Sequence, residues 1–239
     1  MFSTFACGDS MFPRVVKKPP SQEEFDMLIN EQGWKYAEKI TFDMIKKTVV
    51  HHVPAHRHLN ESNVMEDFVS NLTVTRIPSQ GVCYVRPKTP EEPSLDVLKK
   101  SMDKVSGQKY KIKDGFETIA IQWVITRKVD VSILGKDVIE FCRGMEIYEV
   151  EEYKKDGAKV LKAISRKKRD KDWVLCRPWS VVKEELKKCD RSQWKLKCKF
   201  TTQNCFHYIT CTGTWVQLRD QCTSTHKYDD FVCCTPSCP

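Results

Sequence analysis

The stretch that decides the fold is Ile139-Glu140-Phe141-Cys142-Arg143-Gly144-Met145-Glu146-Ile147-Tyr148. Leu134, Val138 and Phe141 lie at helical spacing just before and inside it, and a glycine at 144 stops that helix. Ile147 to Val150 then begins a strand. Working outward, Ile119, Ile121, Trp123 and Ile125 alternate and predict the clearest strand of the chain. Before it, Ser94 can cap a helix whose Leu95, Leu98, Met102 and Val105 form one apolar stripe. Pro87, Pro90 and Pro93 separate that helix from a short apolar run, Gly81 to Val85. Phe68, Ser70, Leu72 and Val74 alternate, as do Ile40, Phe42 and Met44, which predicts two more strands.

Residues 39–153 thus read as one α+β domain with a sheet of about five strands and two helices. Residues 1–38 read as an irregular lead-in, with a short helix from Ser21 to Asn30 supported by a capping-box spacing from Ser21 to Glu24. Residues 154–172 are charged and almost free of large apolar groups, which predicts an exposed linker. Residues 173–239 form a small, disulfide-rich, β-leaning C-terminal domain, with its strand-like stretch from Cys205 to Leu218.

Cysteine placement sets the compartment. Of the 12 cysteines in 239 residues, Cys7, Cys83 and Cys142 precede residue 170. The tail holds Cys176, Cys189, Cys198, Cys205, Cys211, Cys222, Cys233, Cys234 and Cys238. That density, at irregular spacings unlike paired C-x2-C zinc ligands, predicts disulfides and an oxidising compartment. The tail number is odd, so one thiol must pair elsewhere, with Cys7 or across two chains. Residues 1–13 lack the apolar core of a signal peptide. A secretory reading therefore expects a targeting segment, or a type II membrane anchor, upstream of this sequence.

Between domain and tail stands Arg166-Lys167-Lys168-Arg169, followed by Asp170. The run fits the R-x-[KR]-R pattern of furin-like proprotein convertases; the competing reading is a solvated charge run. The net charge of +8 comes from Lys and Arg interleaved with acids, and no recognition helix or RNP-like motif appears, so no nucleic-acid partner is expected. Asn60-Glu61-Ser62 and Asn71-Leu72-Thr73 are glycosylation sequons. His51, His52, His56 and His58 cluster in what reads as a loop, without an acidic or thiol partner at fixed spacing, and no metal or other cofactor is expected there.

Taken together, Glu66-Asp67-Phe68-Val69-Ser70-Asn71-Leu72-Thr73, Cys83-Tyr84-Val85, Pro93-Ser94-Leu95-Asp96-Val97-Leu98, Val131-Ser132-Ile133-Leu134-Gly135 and the stretch quoted first resemble the BRICHOS domain family. The gastrokine and chondromodulin/tenomodulin branches look most similar. The resemblance implies a disulfide between Cys83 and Cys142, and it places the family aspartate at Asp67, either as a pH-sensitive carboxyl or as a capping one. It also implies an intramolecular chaperone rather than an enzyme. The client would be the chain's own tail, with Phe206 to Thr210 and Thr214 to Leu218 as its most β-prone windows, and a furin-like protease would release it after Arg169. An uncleaved secreted binding or matrix protein is the alternative, and self-association is left open. A more remote alternative comes from Asn204-Cys205-Phe206-His207-Tyr208, which faintly resembles the Cys box of lecithin:retinol acyltransferase-like thiol enzymes, with Cys205 as nucleophile.

Overall fold

Alternation governs far more of this chain than the helical stripes do. The computed structural model describes residues 14–17, 21–31, 33–57, 59–107, 116–153, 179–211 and 222–239. Eleven strands form one sheet among them: β1 (Arg14–Lys17), β2 (Gln22–Glu31), β3 (Trp34–Asp43), β4 (Thr48–Val53), β5 (Ser62–Asp67), β6 (Leu72–Ile77), β7 (Val82–Pro87), β8 (Glu117–Lys128), β9 (Glu146–Glu152), β10 (Lys195–Cys211) and β11 (Cys222–Ser237). The helices are α1 (Leu95–Ser106), α2 (Lys136–Phe141) and α3 (Trp179–Leu186). The expected five-strand α+β sheet with two helices and a separate tail domain is therefore corrected. The structure is mostly β, and the tail's two long strands belong to the same sheet.

β1 to β7 run as an antiparallel meander; β9 then lies parallel to β7, β8 antiparallel to β9, β11 parallel to β8, and β10 antiparallel to β11 at the edge. Parallel neighbours need a long crossover. The segment carrying α1 supplies part of one, between β7 and β8, and the segment carrying α2 joins β8 to β9.

The lead-in is the second correction. Ser21 to Asn30 does not form a helix; Gln22–Glu31 is a strand paired with β3. Phe25, Met27 and Ile29 are buried on one face, in register with Ile40, Glu38 and Tyr36 of β3. A period of two over five residues outweighs one capping-box spacing, because burying those three side chains is worth several kcal/mol and a cap about 1. Gly33, at φ +88°, makes the turn between the two strands.

A third correction concerns Phe68 to Thr75. The alternation there is broken by a turn between β5 and β6. Asp67 accepts hydrogen bonds from the Val69 and Ser70 backbone amides (2.9 and 3.1 Å) and from the Ser70 hydroxyl (2.6 Å), and Asn71 takes a left-handed φ of +57°. Asp67 is thus a turn-forming carboxylate of the kind short acidic side chains make. Asp67→Ala is expected to lower stability by about 1 kcal/mol, and Asp67→Asn, which keeps one acceptor, by less; thermal unfolding of the two variants checks this order.

The two faces of the sheet are covered differently. On one, α2 packs with Met65, Val74, Val85 and Ile147 around Cys83 and Cys142. On the other, Phe25, Ile40, Phe42, Val49 and Val64 meet Leu98, Met102 and Val105 of α1, and also Cys205, Phe206 and Ile209 of β10. The sheet curls so that its last strand closes over the face of its early strands.

Candidate docking interface for the C-terminal hairpin

The β10–β11 hairpin is held in two ways. Along its edge, β11 pairs with β8 from Thr225↔Glu117 to Val232↔Val124. Across the face, β10 touches β4, β5 and α1. Tyr84 stacks on Phe231 at 4.0 Å between ring centroids. The Cys211 amide donates to the Ser101 hydroxyl at 2.9 Å. The Trp123 indole donates to Asp229 at 2.7 Å, with the Arg86 guanidinium 4.7 Å above the same indole.

Buried charge crosses the contact. Glu38 of β3, fully buried, accepts from the His207 backbone amide with both oxygens at 3.1 Å and meets His207 Nδ1 at 2.7 Å. It also meets His51 Nδ1 at 2.9 Å, and the other nitrogen of His51 reaches Glu66 at 3.3 Å. Lys88 pairs with the second oxygen of Glu66. Further along, Glu92 is clamped by Arg86 at 3.0 and 2.5 Å and paired with Lys227 of β11.

Burial alone would push the Glu38 carboxyl up. The hydrogen bonds from His207 and then His51 outweigh it and hold the group at about 2. Burial would likewise lower His51, but Glu38 and Glu66 push it up to about 9. Glu92 is held at about 2, against desolvation, by Arg86 and Lys227. His226 goes the other way. Its ring packs edge-on against His207 at 3.7 Å and stacks on Phe116 at 3.6 Å. Burial first, and the neighbouring His207 second, drive it down to about 3.

Cys83 and Cys142 are bridged, with Cα atoms 6.0 Å apart, joining β7 to the end of α2. In the tail, Cys189 is bridged to Cys238, Cys198 to Cys234 and Cys211 to Cys222. Cys233 is also disulfide-bonded. Cys205 is the exception to the expected set of tail bridges. It is a thiol in the core, 1% exposed, with Sγ 3.5 Å from His56 Nε2 and 4.0 Å from the Tyr36 hydroxyl. Its strand position explains this: its cross-strand partner is Tyr228, not a cysteine.

The histidine cluster, expected in a loop, is split between β4 and the loop after it. His51 and His52 lie on opposite faces of β4, the first buried and the second exposed and bonded to Asn63 at 2.5 Å. His56 Nδ1 donates to the Pro54 carbonyl (2.8 Å). Among the described residues no cluster suited to a metal ion occurs. Asn71 is exposed in its turn, while Asn60 is half-buried and receives the Ser79 hydroxyl. The basic run Arg166 to Arg169, Cys7, Cys176, His58 and the window Thr214 to Leu218 lie outside the described residues.

Glu38, Glu66, Arg86, Glu92, Lys227 and Asp229 were not among the expected site residues, and His51 was expected in a loop. A signal was present in the strands. Glu38 is in phase with Tyr36, Ile40 and Phe42, and His51 with Val49 and Val53. A charged side chain on the apolar phase of a strand has to be buried with a partner.

Residues 58–149 match the family model of the BRICHOS domain. That span runs from the residues before β5 into β9 and includes α1, α2 and the Cys83–Cys142 bridge; Glu38, His51 and the tail hairpin lie outside it. No curated protein and no solved structure matches the chain. The family and the disulfides fit a chain of the secretory pathway. Among the described residues no helix is long and apolar enough to cross a membrane.

Proposed function

We propose that the BRICHOS region, with β2 to β4 beside it, is the intramolecular chaperone of this chain's own C-terminal hairpin in a secretory-pathway proprotein. The observation that carries the reading is the double hold on β10–β11: an edge pairing with β8 together with the buried hydrogen bonds of Glu38 to His207 and the buried ion pair of Glu92 with Lys227. Detached, the hairpin would present an unpaired edge along β11 and the apolar surface of Phe206, Ile209, Phe231 and Val232, the combination that templates aggregation. Seated, it is the last pair of strands of the domain's own sheet, which is strand addition in cis. Cleavage after Arg169 by a furin-like protease would turn that arrangement into two chains held by the interface.

Convertase treatment of the secreted chain tests this. The expected result is a new N-terminus at Asp170 and two fragments that co-elute in native buffer. The tail fragment, separated in denaturant with its disulfides intact, should aggregate on dilution, and the N-terminal fragment added at equal concentration should suppress it. A chain left intact favours the uncleaved binding protein instead; a tail that stays soluble alone removes the need for a chaperone.

Cys205 we read as a core thiol. It and His56 are both buried, at 1% and 6% exposure, among Phe206, Ile209 and Leu59. Cys205→Ala is expected to cost about 1 kcal/mol, the loss of one small buried side chain, in urea unfolding.

A further inference from the structure

We infer that the hairpin's seat is acid-labile, with the buried imidazole of His226, packed against His207, as the trigger. The inference deepens the chaperone reading and rests on it.

His207 and His226 are direct partners in the β10–β11 ladder and so share one side of the hairpin. Both are buried, at 0% and 3% exposure. On the β3 side stands Glu38, bonded to His207 and already shared with His51 of β4. His56, from the loop after β4, lies on the same side and disfavours a charge on His226, as His207 does. Phe116, ahead of β8, covers the remaining face of the His226 ring. Behind Glu38, Glu66 of β5 bonds His51 and pairs with Lys88. Glu38 is the carboxylate that favours a charged His226, and it is committed twice over. His226 Nδ1 is buried with no hydrogen-bond partner among the described residues. A proton placed there would put a cation 3.7 Å from a second imidazole in a site closed to water.

The seated hairpin therefore holds His226 neutral, down to about pH 3. A released hairpin exposes the ring, which then takes up a proton near its ordinary value of about 6.5. A group depressed in the seated state contributes its full stabilisation above 6.5 and loses it as pH falls toward 3. Between pH 7.5 and pH 5.0 one such histidine weakens seating about 30-fold. In the seated state Glu38 and Glu92, both held at about 2, and His51, held at about 9, keep their charge across that window, and the carboxylate and lysine partners of His51, Glu66 and Lys88, stay with the sheet when the hairpin leaves. A proprotein moving into a mildly acidic compartment would loosen its tail without any change in the BRICHOS region itself.

The test is hydrogen exchange on the full-length chain at pH 7.5 and 5.0, with each rate divided by its intrinsic value at that pH. Protection of residues 206–209 and 225–228 should fall about 30-fold on acidification in the wild type. In His226→Phe, which keeps the stack on Phe116, it should change less than threefold. Equal wild-type protection at both pH values, or a variant as acid-labile as the wild type, overturns the inference. Absence of protection at pH 7.5 would instead reject docking itself, and with it the chaperone reading. If His226→Phe fails to fold, the ring proton of His226 is followed by NMR in the wild type. Titration near 3 while the hairpin is protected supports the inference; titration near 6.5 with protection undiminished overturns it.

Discussion

Glu38→Ala is expected to destabilise the protein by about 3–5 kcal/mol, the usual cost of removing one partner from a buried ion pair. The carboxylate receives the His207 amide and the imidazoles of His51 and His207, all of them buried. Without it, His51 keeps only Glu66, and the His207 amide and ring lose the acceptor that tied β10 to β3. Glu38→Gln preserves volume and one acceptor, so its loss should fall between wild type and alanine. Urea unfolding measures both. The pH profile is a second signature. A carboxyl held at about 2 contributes stability that is complete above its ordinary value of about 4.5 and lost as pH falls through 2. His51, raised to about 9, contributes stability that is complete below about 6.5 and lost as pH rises through 9. Because part of the His51 shift comes from Glu38, the alanine variant should show a smaller decline between pH 6.5 and 9 as well as lower stability throughout. A variant within 1 kcal/mol of wild type, with an unchanged alkaline limb, would show that Glu38 does not organise this face.

How much of this was legible in the sequence depends on which interaction decides each element. α1 was legible because Ser94, Leu95, Leu98, Met102 and Val105 carry both a cap and a stripe locally; Ser94 accepts from the Val97 amide and the four apolar side chains are buried. Trp123 and Ile125 marked β8 for the same reason. β2 was not, because Ser21 and Glu24 at capping-box spacing drew the eye from Phe25, Met27 and Ile29, whose alternation matters only once β3 and α1 are there to bury it. The sheet's size was hidden by the order of its strands. β11 sits beside β8, about a hundred residues back in the chain, and no local pattern encodes a parallel pairing across a linker. The interface is built from polar residues in inward positions, where their composition alone predicts exposure. His51 and Glu38 occupy inward positions, and each is tolerable only because the other is there. The phase of each on its strand marks it as inward, but the partner that makes burial tolerable lies on another strand.

Removal of the Cys83–Cys142 bridge by the double substitution Cys83→Ala, Cys142→Ala is the second large effect, about 4 kcal/mol on chain-entropy grounds for a sequence separation of 59. The tail bridge Cys211–Cys222, with a separation of 11, should cost about 3 kcal/mol on the same basis. The two losses therefore differ in size, and they should differ more in consequence. The 83–142 loop encloses α1 and the whole of β8, the strand on which β11 is seated. Its sulfurs sit in the core between β7 and α2, at 0% and 2% exposure, so their loss also leaves a gap there. Opening this loop weakens the platform and hence the hairpin's seat; opening the 211–222 loop frays one end of a hairpin whose platform is intact. In urea unfolding with hydrogen exchange on residues 225–232, the first variant should lose global stability and hairpin protection together. The second should keep exchange slow along β8 and lose it chiefly near residue 222. If the Cys83–Cys142 variant loses less than 1 kcal/mol, or leaves β11 as well protected as in the wild type, then edge pairing to β8 is not what holds the tail. The buried contacts of Glu38 and Glu92 would then carry the docking alone.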